Sequence, residues 1–125
     1  MTDEQAERFL PLPPATLHLL VALRPGEKHG YALMHDVEEL SDGAIHLGPG
    51  TLYGSLKRML ADGLIEETAE RPDPDVDDQR RRYYRLTALG ARVGAAELTR
   101  LEALVRRAGS APWAQRRLPR PTGLT

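Results

Sequence analysis

Residues 48–63, Gly-Pro-Gly-Thr-Leu-Tyr-Gly-Ser-Leu-Lys-Arg-Met-Leu-Ala-Asp-Gly, constrain the fold more than any other stretch of the chain. Leu52, Leu56, Met59 and Leu60 fall at i, i+4, i+7 and i+8, which makes one apolar stripe at helical period. Pro49 suits the first helical position, because its fixed φ fits there and its missing N–H is not needed. Gly63 suits the stop, as a residue that tolerates left-handed geometry. Thr51, Tyr53, Gly54, Lys57 and Arg58 lie off the stripe, on a face that is slim near its N-terminus and basic further along. A slim helix end can approach base edges, and Lys57 and Arg58 can pair phosphates. In isolation, an amphipathic helix with an ordinary solvated face reads the same way, so the flanking segments must decide.

Composition narrows the classes. A chain of 125 residues predicts one domain with a modest core, and with 5% aromatics that core must be mainly Leu, Val and Ala. The absence of cysteine excludes disulfides and thiolate metal sites and fits a reducing cytoplasm. No apolar run approaches the ~20 residues that a membrane span needs. The acidic start (Asp3, Glu4, Glu7) lacks a signal-peptide pattern. A formal net charge of −1 excludes a uniformly basic nucleic-acid binder, so any such role must rest on local charge.

In chain order, residues 1–12 read as an arm, loose or partly helical, with Phe9 and Leu10 able to pack onto the body. A first helix is predicted from about Pro14 to Leu23, apolar on most sides and ended by Arg24-Pro25-Gly26. Glu27 to Gly30 reads as a polar turn. A second helix is predicted from about Gly30 to Leu40, with Tyr31, Met34 and Val37 on one face. Ser41-Asp42-Gly43 closes it, and Ala44 to Leu47 reads as a stub of strand. After Gly63 the period changes. Leu64 to Glu70 and Arg81 to Thr87 read as two strands around a loop, residues 71–79, that holds two prolines and four aspartates. Thr87 suits the N-cap of a last helix from about Ala88 to Ala108. Its stripe of Leu89, Val93, Ala96, Leu98, Leu101, Leu104 and Val105 follows a domain that already looks complete, which suggests a second copy of the chain as its cover. The alternative is that this helix folds back on the first. Residues 109–125 carry Arg116, Arg117 and Arg120 with no acids and read as a flexible basic tail, on which Trp113 has no assigned role.

Three short helices, a two-stranded hairpin and one long helix make a mainly α fold with a small β-hairpin: a winged helix-turn-helix over residues 13–87, followed by a dimerisation helix over 88–108. In this arrangement the second helix braces the third, whose outer face (about 49–62) enters the major groove, and the hairpin (about 64–87) forms a wing. Arg80, Arg81 and Arg82 lie where the wing returns, within reach of phosphate. The aspartates of the loop oppose this, since an acidic wing tip repels phosphate.

At this point the chain resembles the PadR-like family of winged-helix transcriptional regulators. The matching segments are His29-Gly-Tyr-Ala-Leu33, Leu47-Gly-Pro-Gly-Thr-Leu-Tyr53, Leu56-Lys-Arg-Met-Leu60, Asp62-Gly-Leu-Ile65 and Arg82-Tyr-Tyr-Arg-Leu-Thr87 with Leu89-Gly90, over roughly residues 14–108. The resemblance implies a homodimer on a pseudo-palindromic operator, usually as a repressor, with the last helix at the dimer interface. It places Pro49, Gly50, Thr51, Tyr53 and Lys57 on the DNA side of the recognition helix and Tyr31 near the phosphate backbone. Arg82 takes the place of the basic residue before the paired tyrosines. Gly54 stands where the family often has proline, and the short last helix indicates the compact branch. Leu98 and Leu101 occupy the stretch where some multidrug-sensing members carry aromatics, so a stacking pocket for planar ligands is not supported. No cofactor or metal is expected, and a small-molecule effector is left open.

Enzymatic function is disfavoured. His18, His29, His35 and His46 lack metal-ligand spacing, the pairs Glu38-Glu39 and Glu66-Glu67 imply no cleft, and Ser55 has no candidate base. The competing reading is a winged-helix module used for protein contact, favoured by the near-neutral charge and the acidic wing.

Overall fold

The computed structural model describes residues 3–68 and 82–109. Within them the order is α1 (Glu4–Glu7), α2 (Pro14–Ala22), β1 (Lys28–His29), α3 (Gly30–Leu40), α4 (Pro49–Ala61), β2 (Ile65–Thr68), β3 (Tyr83–Leu86) and α5 (Ala88–Gly109). The expected wing loop, with Arg80 and Arg81, and the basic tail with Trp113 lie outside the described residues.

The core gathers Leu19, Leu20 and Leu23 of the α2 segment, Leu33 and Val37 of α3, Leu52, Leu56 and Met59 of α4, Leu64 and Ile65, Tyr84 of β3 and Val93 of α5. Removing these side chains from water is the main favourable term in folding. The stripe of α4 is therefore core, with Leu60 half-buried beside it.

Helices α3 and α4 end alike. At Gly63 (φ 77°) the Leu64 N–H donates to Met59 O (3.0 Å) and the Gly63 N–H to Leu60 O (3.1 Å). At Asp42 (φ 52°) the Gly43 N–H donates to Glu38 O (2.8 Å) and the Asp42 N–H to Glu39 O (3.1 Å). Both are Schellman closures, in which a left-handed residue satisfies the last carbonyls. The second falls on aspartate, which visits that region more readily than other non-glycine residues.

Two elements differ from the sequence reading. Ala44 to Leu47 forms no strand: the Ser41 hydroxyl accepts from the Ile45 N–H (2.9 Å), and Leu47 turns into the core. Instead the predicted polar turn supplies β1, which pairs antiparallel with β3 (Lys28↔Tyr84, His29↔Tyr83). The sheet is three-stranded, in order β1-β3-β2. The β2–β3 hairpin has the register Ile65↔Leu86, Glu66↔Arg85, Glu67↔Tyr84 and Thr68↔Tyr83.

Thr87 joins hairpin to α5. Its hydroxyl accepts from the Gly90 N–H (3.0 Å), as an N-cap does, and donates to Gly63 O (2.6 Å), while its own N–H donates to Leu64 O (3.1 Å). The stop of α4 and the start of α5 are thus tied at one residue.

Candidate nucleic-acid interface

Helix α4 buries Leu52, Leu56 and Met59 and leaves Pro49, Gly50, Thr51, Gly54, Lys57 and Arg58 exposed. A Cβ built at Gly50 or Gly54 meets nothing within 4 Å, so the helix presents bare backbone to the outside at these two positions. Pro49 is the first helical residue and the N-cap Gly48 makes no side-chain capping bond. The free N–H groups of this end point outward with the positive end of the helix dipole, which favours a phosphate oxygen. Lys57 and Arg58 follow one to two turns on, where they extend the same electropositive face.

Tyr53, expected on the DNA side of α4, is partly buried. Its ring is half-buried against the core, and a Cβ added at Gly30 would lie 2.3 Å from its hydroxyl oxygen. Tyr53 therefore packs on the first turn of α3 and sets the angle between bracing and recognition helices. Position 30 must be glycine for that approach. Tyr31 is half-buried one residue further on, at the same end of α3.

His29 is a site-supporting residue that the sequence reading passed over. Its Nδ1 accepts from the Ala32 N–H (3.2 Å), capping α3, and its ring meets Tyr83 edge-on at 5.6 Å. The His-x-x-Ala spacing at a helix start was the available signal. Lys28 and Asp36 form an ion pair across the same corner.

At the wing, Arg82 lies 3.6 Å from Glu67 and Arg85 donates to Glu66 at 2.6 Å. Both pairs are half-exposed, and such pairs exchange readily with other partners. Burial raises the Tyr84 phenol above its ordinary pKa, with the Glu67 charge adding to it and Arg82 opposing.

Helix α5 divides in two. Its first half folds back on α2, with a Cβ at Gly94 in ordinary contact with Leu20 and one at Gly90 only 1.9 Å from Leu64 O. Val93 is fully buried there, and Leu89 and Ala96 are half-buried against the same core. These three of the seven residues expected at a dimer interface are thus engaged within the subunit, because α5 docks on the body before it projects past it. Leu98, Leu104 and Val105 are 39%, 53% and 65% exposed, and Leu101 is half-buried. An apolar groove of about 400 Å³ runs between α2 and α5, lined chiefly by Leu20, Val21, Ala91, Gly94, Ala95 and Leu98.

Residues 19–96 match the family model described as the transcriptional regulator PadR-like family. This chain belongs to the PadR-like family. Over 90 residues it is 37% identical to transcriptional regulator Rv3488 of Mycobacterium tuberculosis, covering 72% of this chain and 78% of that one. Among solved structures, a transcriptional regulator of Thermoplasma acidophilum is similar with a TM-score of 0.60 at 26% identity, over 74% of this chain and 84% of that chain. A PadR family transcription regulator of Clostridium difficile R20291 superposes with a TM-score of 0.54 at 21% identity, over 76% of this chain and 97% of that chain. The PadR-like assignment spans α3, α4, β3 and the docked half of α5, so it covers the whole exposed face of α4. No helix among the described residues is long and apolar enough to cross a membrane.

Proposed function

We propose that this PadR-like regulator binds double-stranded DNA as a homodimer and acts as a repressor in the cytoplasm. Each α4 enters the major groove of one half of a pseudo-palindromic operator, with Pro49, Gly50, Thr51 and Gly54 closest to the bases and Lys57 and Arg58 on phosphate. Tyr53 supports α4 from behind and Tyr31 lies toward the backbone. Arg80, Arg81 and Arg82 serve the wing. The observation that carries this reading is the outer face of α4, slim and then basic, on a helix whose other face buries Leu52, Leu56 and Met59 in the core. Dimerisation rests on the overhang of α5: Leu104 and Val105 continue an apolar stripe past the end of the body, where the described residues offer no cover. A two-fold dimer then matches the symmetry of a palindromic site.

The internal pairing of Arg82 with Glu67 and Arg85 with Glu66 favours a second reading, a winged-helix module for protein contact. Fluorescence anisotropy separates the two. DNA from upstream of the protein's own gene is titrated at several salt concentrations against excess unrelated duplex. Saturation at two protomers per duplex, resistant to competitor and steeply salt-dependent, is expected. No binding at low salt would leave the protein-contact reading.

A further inference from the structure

Glu97 is a carboxylate in the core. It is 1% exposed, and it is the buried charged residue among the described ones. Its Oε2 accepts from the backbone N–H of Leu12 at 2.7 Å, across 85 positions of sequence. Arg100, one turn along α5, donates to Oε1 (2.5 Å) and Oε2 (3.1 Å) while its own side chain stays half-exposed. A charge so placed is tolerated only when its partners are in position.

The segment that supplies the Leu12 N–H is a distinct strap, residues 3–12. Its single helical turn, α1, lies against α5 with Ala6 completely buried, and Phe9, Leu10 and Leu12 pack onto the core. At its far end Arg92 bonds Gln5 (2.6 Å) and Asp3 (3.1 Å). At about 100° per residue, Arg92, Ala96 and Arg100 lie on one flank of α5 and Ala91, Ala95 and Leu98 on the other. The strap therefore grips the flank of α5 opposite the open groove, at the point where the helix leaves the body.

We infer that Glu97 is a positioning residue for DNA binding: it fastens the strap, and the strap holds the angle at which α5 projects from the winged body. This rests on the dimer reading above. If two copies join through the overhang of α5, that angle sets the separation of their recognition helices, and a loosened strap lets the separation vary. The exposed salt bridge of Arg92 to Asp3 and its hydrogen bond to Gln5 are open to solvent competition, so the buried Glu97–Leu12 bond is the part of the strap that resists it.

The chain has no cysteine, so Ala61→Cys at the exposed end of α4 allows one spin label per protomer. Inter-label distances are measured by pulsed dipolar spectroscopy, and amide exchange of residues 3–12 by mass spectrometry. The background is the full-length protein with Glu97 intact, Glu97→Met, Glu97→Gln or Leu12→Pro. Met keeps the volume and removes the acceptor, Gln keeps an acceptor oxygen, and Pro removes the donor without a substitution on α5, with Leu12→Ala as its control because the Leu12 side chain also packs on the core. Expected are one narrow distance with the parent, at least tenfold faster strap exchange and a broadened distance with Glu97→Met and Leu12→Pro, and recovery of both with Glu97→Gln. Unchanged strap exchange, or an unchanged distance with a freed strap, overturns the assignment. Should Glu97→Met not fold, Leu12→Pro compared with Leu12→Ala decides: strap exchange as slow, and a distance as narrow, in Leu12→Pro as in Leu12→Ala overturns the assignment. Absence of dipolar coupling in the parent removes the dimer reading and the positioning role with it, and is distinguishable from a strap that simply does not matter.

Discussion

Gly90 shows how little room a single atom can have. A Cβ there would lie 1.9 Å from the Leu64 carbonyl oxygen and 2.9 Å from its carbon, both backbone and both tied by the Thr87 junction. Gly90→Ala is expected to destabilise by about 3 kcal/mol, the upper end for overpacking, as read from urea denaturation midpoints. Gly50→Ala, where a Cβ meets open space, is the matched control for adding a methyl group to a helix. Glu97 illustrates the opposite case, a polar group made necessary by its partners. Hydrogen bonds from the Arg100 guanidinium hold its carboxyl below the ordinary glutamate range; burial opposes this, and the Leu12 N–H adds to it. A group with a lowered folded-state pKa contributes stability that is present above the unfolded value, about 4.3, and lost as pH falls through the folded one. Stability between neutral pH and about pH 5 should therefore be flat with respect to Glu97, and the loss should appear below that. Glu97→Gln should flatten this acid limb in thermal melts; an acid limb identical to the parent's would show that Glu97 does not titrate in this way.

Among elements, α4 is the one whose two faces answer to different constraints. Its inner face is set by packing, and its outer face carries the charge that the chain as a whole lacks. Replacing Lys57 and Arg58 together by Ala leaves Leu52, Leu56 and Met59 untouched, so the fold should persist by circular dichroism. The slope of log affinity against log salt should fall by about 1–2 per protomer, and operator binding should weaken at least tenfold at moderate salt. If the slope is unaltered, these cations do not meet phosphate. Among the described wing residues, Arg82 and Arg85 pair with carboxylates of β2, so a phosphate has to compete for them.

At the scale of the whole molecule, α5 is both the last piece of the body and the piece that leaves it. A test of assembly must use the overhang. Leu101 is half-buried in the subunit, so a charge there would mix folding with association. Leu104→Glu with Val105→Glu changes side chains that are already 53% and 65% exposed, which predicts a folded protein that sediments as a monomer. Loss of the second half-site should cost more than a hundredfold in operator affinity, since the linked second contact acts at high effective concentration. A dimer that survives the double change would place the interface elsewhere, with the groove of Val21, Ala95 and Leu98 as the next surface to alter.

Elements whose information is local could be read from the order of residues. Helical periodicity marked α2, α3, α4 and α5 to within a residue or two, Gly63 marked a left-handed stop, and Thr87 marked a cap. The outer residues of α4 were legible for the same reason: once the apolar stripe is known, the opposite face follows from 3.6 residues per turn. Features that depend on a partner distant in the chain emerged with the folded structure. Two residues of β1 carry no strand signal, and they become a strand because the fold sets them antiparallel beside Tyr83 and Tyr84, on the side of β3 away from β2. Tyr53 changed from an outward residue to a support because Gly30 lacks a side chain. Val93 and Leu101 share one stripe, yet the body ends between them, so one is core and the other reaches the edge. Glu97 carries no signal of its role in the residue order, since a helix pattern cannot show that an N–H 85 residues away has been brought to its carboxylate.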